Sequence, residues 1–224
     1  NGPDNYRVNN NIVYTRAIEV NAVRHCNLSC RSCSHSSPIA SCNEYNPEDI
    51  ERDLLKISQY LHSEFVRLLG GEPLLHSNLL EVLKAIKRTN ISDKICLVTN
   101  GLLLDNISDE MLKYIDKIEI SMYPLNKNLL QKIKNNALRL SEKGVKVRIL
   151  EYSDFRESIS QYSTDNQELK QLIYETCQVA HNWRCITVDN DRLYRCPQSM
   201  IYSEKNNDFS DSICISKLSN IYDL

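Results

Sequence analysis

Residues 17–33 read AIEVNAVRHCNLSCRSC, and this stretch decides the fold and the chemistry that we expect of the chain. The apolar run from Ala17 to Val23 predicts a β-strand. The three cysteines Cys26, Cys30 and Cys33 follow it in one loop, at Cys-x3-Cys-x2-Cys spacing. Because thiolates hold the irons of iron–sulfur clusters, these three can bind three irons of a four-iron cluster. The fourth iron is then open for chemistry.

A second motif follows the next apolar run of the chain. Gly70-Gly71-Glu72-Pro73 (the GGEP motif) comes directly after Phe65 to Leu69, which predicts another strand. The cysteine spacing and the GGEP motif together resemble the radical S-adenosylmethionine (radical SAM) superfamily, over residues 17–151. The resemblance implies a 4Fe-4S cluster whose open iron is chelated by the amino and carboxylate groups of S-adenosylmethionine. It also implies that one electron cleaves the sulfonium to a 5'-deoxyadenosyl radical, which takes a hydrogen atom from the substrate.

Other metal sites and disulfides are the alternatives for these cysteines. His35 can complete a zinc site with the triplet, although structural zinc sites usually pair two cysteines with a second pair of Cys or His ligands. A non-enzymatic zinc or iron–sulfur binding module is therefore the alternative from another functional class. Disulfides are disfavoured because the chain has nine cysteines, an odd number, and because its Asn-rich start lacks the apolar stretch of a signal peptide.

Length and charge limit the remaining functional classes. A chain of 224 residues can bury one substantial core. The formal net charge of -2 gives no basic surface for nucleic acid or for an anionic membrane, and no apolar run is long enough to span a bilayer. We therefore expect no nucleic-acid or membrane partner. Free thiols at this density are typical of the reducing cytoplasm, which is the expected location.

The order of apolar segments predicts the fold class. Five strand-like runs alternate with helical patterns between Ala17 and Glu151, and this alternation is typical of a parallel sheet covered by helices. A complete TIM barrel takes about 250 residues, more than the chain has. We therefore expect an α/β fold, an open, partial TIM-type barrel of about five to six strand–helix units. The expected organisation is an N-terminal tail (1–16), a barrel core (17–165) and a C-terminal extension (166–224).

Caps and apolar periodicity place the helices of this core. Asn46 and Pro47 start the first helix, and Ser77 is a candidate cap for the second. A short helix is expected from Ser108, and a longer one from Asn126 to Lys143, where Gly144 ends it. These helices cover one side of the predicted sheet.

The active site of such a barrel forms at the carboxyl ends of its strands. Glycine at these ends, as at Gly101, lets the backbone approach a ligand closely, with an ordinary turn as the alternative. The resemblance assigns the GGEP motif to the methionyl amino group, through backbone carbonyls and the Glu72 carboxylate. It places contacts to the ribose or the carboxylate at the ends of strands four and five. The candidate residues for binding S-adenosylmethionine are Gly70, Gly71, Glu72, Pro73, Asn100, Ser121 and Glu151.

One position of the cysteine motif departs from the family pattern. Many members carry an aromatic residue just before the third cysteine, where it packs near the adenine, and this chain has Ser32 there. Adenine then needs another neighbour. His35 is one candidate, with a solvated loop histidine as the alternative. Of the remaining thiols, Cys96 is expected in the core, and Cys42 is expected to be a plain loop thiol, with hydrogen-atom donation as its alternative.

Three more cysteines lie beyond the barrel core. Cys177, Cys185 and Cys196 accompany a predicted β-hairpin over residues 184–195. The segment resembles the SPASM or twitch extension of radical SAM enzymes, although Asp191 stands where that pattern often has glycine. A zinc site and unligated buried thiols are the alternatives. The implied ligands of one auxiliary iron–sulfur cluster are Cys177, Cys185, Cys196 and Cys214.

The expected reaction begins with hydrogen-atom abstraction from a biosynthetic substrate. An auxiliary cluster that accepts an electron favours oxidation or dehydrogenation, and a thiol donor favours epimerisation. About sixteen residues precede the first predicted strand, too few for a peptide-binding domain. We therefore favour a sugar-like or other small molecule, with maturation of a ribosomal peptide or protein as the alternative. The expected redox partner is a reducing electron donor such as flavodoxin or ferredoxin.

Overall fold

The computed structural model describes residues 6–153, 163–183 and 186–224, and a nine-stranded sheet organises these ranges. The strands are β1 (Tyr6–Asn9), β2 (Ile12–Val23), β3 (Leu61–Gly70), β4 (Ser92–Thr99), β5 (Lys117–Met122), β6 (Lys146–Glu151), β7 (Thr187–Asp189), β8 (Arg192–Tyr194) and β9 (Ser212–Cys214). The helices are α1 (Pro47–Ile57), α2 (Leu79–Arg88), α3 (Asp109–Leu112), α4 (Lys127–Glu142), α5 (Gln167–Glu175) and α6 (Pro197–Asn206).

The central part of the sheet is parallel. β2, β3, β4, β5 and β6 lie side by side in chain order, and each connection between them contains one of the helices α1 to α4. β7 pairs in parallel with β2 at Glu19 and Val20, and β8 and β9 continue antiparallel. Within the described ranges no pairing joins β6 to β9, so the sheet is open. The expected open, partial TIM-type barrel is confirmed.

One face of the parallel sheet packs against the helices and forms the core. Ile18, Val20 and Ala22 alternate along β2 and are at most 1% exposed, as one buried face of a strand requires. The helices contribute Leu54, Ile57, Leu83, Ile86, Ile133 and Leu140 to the same apolar cluster. None of the helices in the described part of the chain is long and apolar enough to cross a membrane.

The opposite face of the sheet, the inner face, carries charges. Arg67 of β3 donates to Glu19 of β2 over 3.2 Å and to Glu119 of β5 over 3.1 Å. Lys117 donates to Glu119 over 2.6 Å. The Glu19 and Glu119 side chains are only 5% and 10% exposed, so their charges depend on these cations. The inner face is therefore polar and ordered by ion pairs across the strands.

The amino-terminal part of the sheet is longer than the sequence predicted. β2 begins at Ile12 instead of Ala17, and β1 pairs antiparallel with it, inside the segment expected to be a tail. Asn10 and Asn11 form the turn, with φ values of 49° and 59°. Asn tolerates this left-handed conformation, and two such residues make a tight hairpin turn. The Asn-rich start of the chain was thus a turn signal.

The helix caps agree with the sequence in most places. Asn46 caps α1 by accepting the Glu48 N–H, and Asn126 caps α4 by accepting the Leu129 N–H. The second helix differs, because Asn78 stands at its N-cap. The N–H and hydroxyl of Ser77 donate instead to the Glu44 carboxylate. Ser77 therefore does not cap the helix, because it hydrogen bonds to a carboxylate that is distant in the sequence. A local sequence pattern does not show such a partner.

Two glycines let the end of β3 and the residue after it lie directly on the end of β2 and on residues 24–45, which we call the cysteine loop. A Cβ added at Gly70 would stand 2.2 Å from the Val23 carbonyl oxygen. A Cβ added at Gly71 would stand 1.8 Å from the His25 carbonyl oxygen. The Gly71 N–H donates to Val23 over 2.9 Å, and the Glu72 N–H donates to His25 over 3.0 Å. Since both obstacles are backbone atoms, any larger residue must displace one of the two segments.

We predict that Gly71→Ala destabilises the fold far more than Gly144→Ala does. Gly144 has a φ of 90° but nothing within 4 Å of an added Cβ, so its replacement costs about 1 kcal/mol of backbone strain. Gly71→Ala forces a backbone clash, and we expect it to cost about 3 kcal/mol or more. Urea denaturation followed by circular dichroism measures both. Equal costs would contradict the close approach.

Candidate active site

Three segments meet at the carboxyl edge of the parallel strands. The cysteine loop follows β2, the GGEP motif ends β3, and Thr99-Asn100-Gly101 ends β4. Because neighbouring parallel strands end at the same edge of a sheet, these segments form one rim. The sequence predicted this arrangement of the three segments.

The three cysteines of the first motif are half-buried in the cysteine loop. Burial, together with the nearby Cys33 and Cys26 thiols, raises the pKa of Cys30 to about 11. Burial likewise raises the pKa of Cys26. The loop therefore brings the thiols close enough to influence each other's ionisation. A bound cation would offset this cost and favour the thiolates.

The donor set of this loop fits a 4Fe-4S cluster. The Leu28 N–H donates to Cys26 Sγ over 3.4 Å, and Asn100 Nδ2 approaches the same sulfur at 3.7 Å. Hydrogen bonds to ligand sulfurs are one means by which proteins tune such clusters. In the ranges that the structure describes, no group of three or more His, Cys, Asp or Glu side chains is arranged to hold a single metal ion. A cluster takes its thiolates on separate irons and needs no such common point.

Glu72 of the GGEP motif is fully buried beneath the rim. Its Oε1 accepts the Thr99 hydroxyl over 2.7 Å and the Leu74 N–H over 3.1 Å, and its Oε2 accepts the Asn100 N–H over 2.8 Å. Burial raises the pKa of Glu72 to about 7, and these three donors oppose the rise. The carboxylate thus joins the end of β3 to the end of β4. Contact between the motif's backbone carbonyls and a methionyl amino group stays a prediction.

Asn100 continues this connection to the cysteine loop. The residue is 6% exposed, and its Nδ2 donates to Asn27 Oδ1 over 2.7 Å. Its own Oδ1 accepts the Leu102 N–H over 3.0 Å. Asn100 therefore serves both the turn that the sequence suggested and the cysteine loop. Sequence reasoning missed Asn27, for which its position directly after Cys26 was the available signal.

The remaining candidates for S-adenosylmethionine lie at different parts of the edge. Pro73 is buried and begins a single 3-10 turn after Glu72. Ser121 of β5 is half-buried and makes a side-chain hydrogen bond with Tyr123. Glu151 ends β6 with an exposed side chain, and its carboxylate lies 3.6 Å from Lys134 Nζ of α4. Its described contacts are thus on the side of α4. The roles of Ser121 and Glu151 stay predictions.

His35 lies in the cysteine loop, close to the inner face. Burial, together with the positive charges of Arg24 and Arg67, lowers the pKa of His35 to about 4. Its Nδ1 lies 3.1 Å from Ser34 Oγ. The imidazole is therefore neutral at neutral pH. Neither a zinc ligand role nor contact with adenine is tested by these contacts.

The second set of cysteines lies in the C-terminal segment. Cys196 caps α6, accepting the Ser199 N–H at its sulfur over 3.4 Å, and burial together with the nearby Cys177 thiol raises its pKa. Cys214 ends β9, and its thiol approaches Asp191 Oδ2 at 3.4 Å. Cys185 lies outside the described residues. The Cys177 thiol thus lies near enough to contribute to the raised pKa of Cys196. The auxiliary cluster stays a prediction.

A buried polar network connects the C-terminal segment to the cysteine loop. Arg24 contacts Asp189 of β7 at 3.4 Å and also pairs with Glu204 of α6. The Asp189 carboxylate further accepts Asn21 Nδ2 over 3.0 Å and the Tyr45 hydroxyl. Burial raises the pKa of Glu204, while Arg24 opposes the rise. Sequence reasoning missed this network, because its members lie far apart along the chain.

We predict that Glu72→Gln destabilises the protein by about 1–3 kcal/mol at pH 8. At that pH a carboxyl with a pKa of about 7 is mostly ionised, and all three of its partners donate. Gln can keep the carbonyl contacts, but its NH2 group then faces the Asn100 N–H, so a buried donor loses its acceptor. The free energy of unfolding in urea measures the loss.

Glu64→Gln is the matched control for this substitution. Glu64 lies on β3, the strand that precedes Glu72; its side chain is 51% exposed, and its partner Lys94 is 3.8 Å away. We expect it to change the free energy of unfolding by less than about 0.5 kcal/mol. Equal losses for the two variants would contradict the role of Glu72 in joining the strand ends.

Comparison with known proteins agrees with this site. The family model described as the radical SAM superfamily matches residues 20–149. The GTP 3',8-cyclase of Aquifex aeolicus is 33% identical over 141 residues, which cover 57% of this chain and 41% of that protein. The probable GTP 3',8-cyclase of Methanocaldococcus jannaschii is 31% identical over 120 residues, covering 53% and 40%. The chain therefore matches about two fifths of the length of these relatives.

Solved structures share the fold at lower sequence identity. Native anSMEcpe with bound AdoMet superimposes with a TM-score of 0.60 at 15% identity, covering 92% of this chain and 79% of that one. BtrN in complex with AdoMet and 2-DOIA gives a TM-score of 0.57 at 19% identity, covering 84% and 75%. The family match covers more than half of the chain, including the cysteine loop and the GGEP motif. The chain belongs to the radical SAM superfamily, whose cofactors are S-adenosylmethionine and a 4Fe-4S cluster.

Proposed function

We propose that this protein is an enzyme that reductively cleaves S-adenosylmethionine and abstracts a hydrogen atom from a biosynthetic substrate. The bound 4Fe-4S cluster supplies the electron that yields the 5'-deoxyadenosyl radical. One observation carries the proposal: the buried Glu72 carboxylate joins the GGEP motif to Thr99 and Asn100, and the Asn100 side chain joins them to Asn27 of the cysteine loop. This arrangement has no evident use in a non-enzymatic metal-binding module, which is the alternative from another class.

Each group on the rim has a proposed task. Cys26, Cys30 and Cys33 hold the cluster as thiolates. The N–H donors of Leu28 and Asn100 stabilise negative charge on Cys26 Sγ. The backbone carbonyls of the GGEP motif accept the methionyl amino group, while Glu72 fixes their position from below. Ser121 and Glu151 are proposed contacts for the ribose or the carboxylate.

We propose a polar small molecule as the substrate. The inner face offers paired donors and acceptors from Arg67, Lys117 and Glu119 in place of an apolar surface, and such a lining favours hydroxyl or charged groups. The relatives named GTP 3',8-cyclase are named for a nucleotide, which is also a polar small molecule. Oxidation, dehydrogenation or epimerisation of a sugar-like molecule is the favoured outcome. Maturation of a ribosomal peptide or protein is the alternative.

An auxiliary iron–sulfur cluster in the C-terminal extension (166–224) is part of the proposal. The proximity of the Cys177 and Cys196 thiols supports it, and Cys185 and Cys214 are the further proposed ligands. The core (17–165) then carries the S-adenosylmethionine chemistry. The ion pairs of Arg24 with Asp189 and Glu204 support a fixed connection between the core and the extension.

The proposed setting is the cytoplasm, with a flavodoxin- or ferredoxin-like protein as the reducing electron donor. Free thiols persist in that compartment, and the first step of the chemistry consumes an electron. The small net charge of -2 supports the absence of nucleic-acid and membrane partners.

We predict that Cys30→Ala abolishes cleavage of S-adenosylmethionine, because the cluster loses one of its three thiolates. The protein is reconstituted anaerobically with iron and sulfide and then reduced with dithionite. The formation of 5'-deoxyadenosine is measured. Wild-type protein should form it, and Cys30→Ala should fall to background. Cys42→Ala removes an exposed thiol of the same loop and should keep the wild-type rate. Uptake of zinc instead of iron by the wild type, without cleavage, would establish the non-enzymatic alternative.

We predict that Cys196→Ser lowers the iron and sulfide content by one cluster and leaves the cysteine-loop cluster in place. Ser keeps the cap of α6, because its hydroxyl can accept the Ser199 N–H, so the substitution removes only the thiolate. Iron and sulfide assays on the reconstituted variant measure the change, with Cys42→Ala as the control. An unchanged iron content would show that Cys196 holds no cluster.

A further inference from the structure

A cleft of about 200 Å³ lies where α1 meets the carboxyl half of β2 and the end of β7. Its apolar wall contains Val20, Ile50 and Val188, which belong to the buried core cluster. Its polar side includes Asn21, Tyr45, Asp49, Arg52, Asp53 and Asp189. None of the tasks proposed for the rim uses this cleft.

Asn21 supplies a buried acceptor to this cleft. The residue is 2% exposed, and its Nδ2 donates to Asp189 Oδ1 over 3.0 Å. Because an ionised carboxylate only accepts hydrogen bonds, this contact fixes which end of the amide faces Asp189. Within the part of the chain that the structure describes, Asn21 Oδ1 is buried and has no hydrogen-bond partner. Since a buried acceptor without a donor is costly, the cleft suits a ligand that donates a hydrogen bond to this oxygen.

The carboxylates around the cleft share their cations. Arg52 lies 2.5 Å from the Asp49 carboxylate and 3.0 Å from the Asp53 carboxylate. Arg24, which pairs with Asp189, also pairs with a second carboxylate on α6. Burial raises the pKa of Asp53 although Arg52 opposes the rise. Two arginines thus serve four carboxylates, and a further cation is favoured where water is partly excluded.

The lining favours an ammonium group over a metal ion. Residues 6–153, 163–183 and 186–224 contain no group of three or more His, Cys, Asp or Glu side chains arranged around one metal ion. An ammonium group instead donates three hydrogen bonds in separate directions, and the acceptors Asn21, Asp49 and Asp189 stand on three different elements. Sites for drug-sized ligands measure about 300 Å³ or more. This smaller cleft therefore takes a small molecule with a short apolar part.

We propose that the cleft binds a small organic ammonium ion, a short primary amine whose alkyl part lies on the apolar wall. The ammonium group donates to Asn21 Oδ1 and to the Asp49 carboxylate, whose hydrogen bond with Arg52 engages Oδ1. The bound amine then connects α1, β2 and the end of β7, and so stabilises the attachment of the C-terminal segment. The assignment does not depend on the proposed function.

The test is isothermal titration calorimetry on the anaerobically reconstituted protein, at constant ionic strength, with n-butylammonium chloride as the probe. We expect a Kd of about 1 mM or lower. Tetramethylammonium carries the same charge without an N–H donor, and it should bind at least about tenfold more weakly. Potassium and magnesium chloride test whether any cation is sufficient, and neither should bind in the same concentration range.

Three charge variants locate the bound amine. Asp49→Asn removes a carboxylate whose side chain is 57% exposed, so the fold should persist, and binding should weaken about tenfold. Glu48→Gln is the matched control, because it removes the same charge from the preceding, exposed residue of α1 and should bind within about twofold of the wild type. Arg52→Gln frees two carboxylates and should tighten binding about threefold, a gain that a purely structural role of Arg52 does not predict.

Asn21→Ala removes the buried acceptor and should abolish measurable binding, with circular dichroism to show that the variant is folded. If Asn21→Ala does not fold, the result for Asp49→Asn decides.

Absence of n-butylammonium binding to the wild type would overturn the proposal. The cleft would then hold water, and a volume of this size takes several water molecules. Equal affinities for n-butylammonium and tetramethylammonium, or binding of potassium or magnesium in the same range, would show attraction by charge alone and would also overturn it. Wild-type affinity in a folded Asp49→Asn variant, or equal weakening in Glu48→Gln, would place the amine outside the cleft.

Discussion

The Glu72 carboxylate is the interaction on which the rim depends. It is fully buried and accepts three hydrogen bonds, two of them from Thr99 and Asn100 at the end of the neighbouring strand. Asn100 in turn reaches Asn27 and Cys26 of the cysteine loop. One buried acid thus connects the segments that follow three parallel strands. The buried carboxylate is tolerated because each of its oxygens accepts a hydrogen bond. These hydrogen bonds, with those of Asn100, fix the three segments relative to one another.

The C-terminal segment is fastened to the same loop by charge. Arg24 is the first residue after β2, and it pairs with Asp189 of β7 and with Glu204 of α6. Asp189 is 3% exposed, so loss of Arg24 would leave a buried charge without its cation. Cys196 is the N-cap of α6. The two cysteine-bearing segments are therefore linked by the ion pairs of Arg24 and by the hydrogen bond that Tyr45 of the cysteine loop donates to Asp189.

Local patterns predicted much of this fold, and long-range contacts were beyond them. Asn46 and Asn126 predicted the starts of α1 and α4. A cap can be read from the sequence because it hydrogen bonds within the first turn of its own helix. The Asn10-Asn11 turn was equally local but was read as a tail. Arg24 and Asp189 are 165 residues apart, and no pattern within a short window relates them. The sequence showed the GGEP motif, and Glu72 was expected to contact the ligand. Glu72 is instead buried, because its carboxylate binds Thr99 and Asn100 at the end of β4.

The most direct test of the account is the low-temperature electron paramagnetic resonance spectrum of the reconstituted, dithionite-reduced protein, with and without S-adenosylmethionine. We expect the signal of a reduced 4Fe-4S cluster that changes on addition of S-adenosylmethionine. We further expect a hyperfine coupling when the methionyl amino nitrogen is labelled, because that group binds the open iron. A cluster signal that ignores S-adenosylmethionine, or the absence of any cluster signal, would contradict this account.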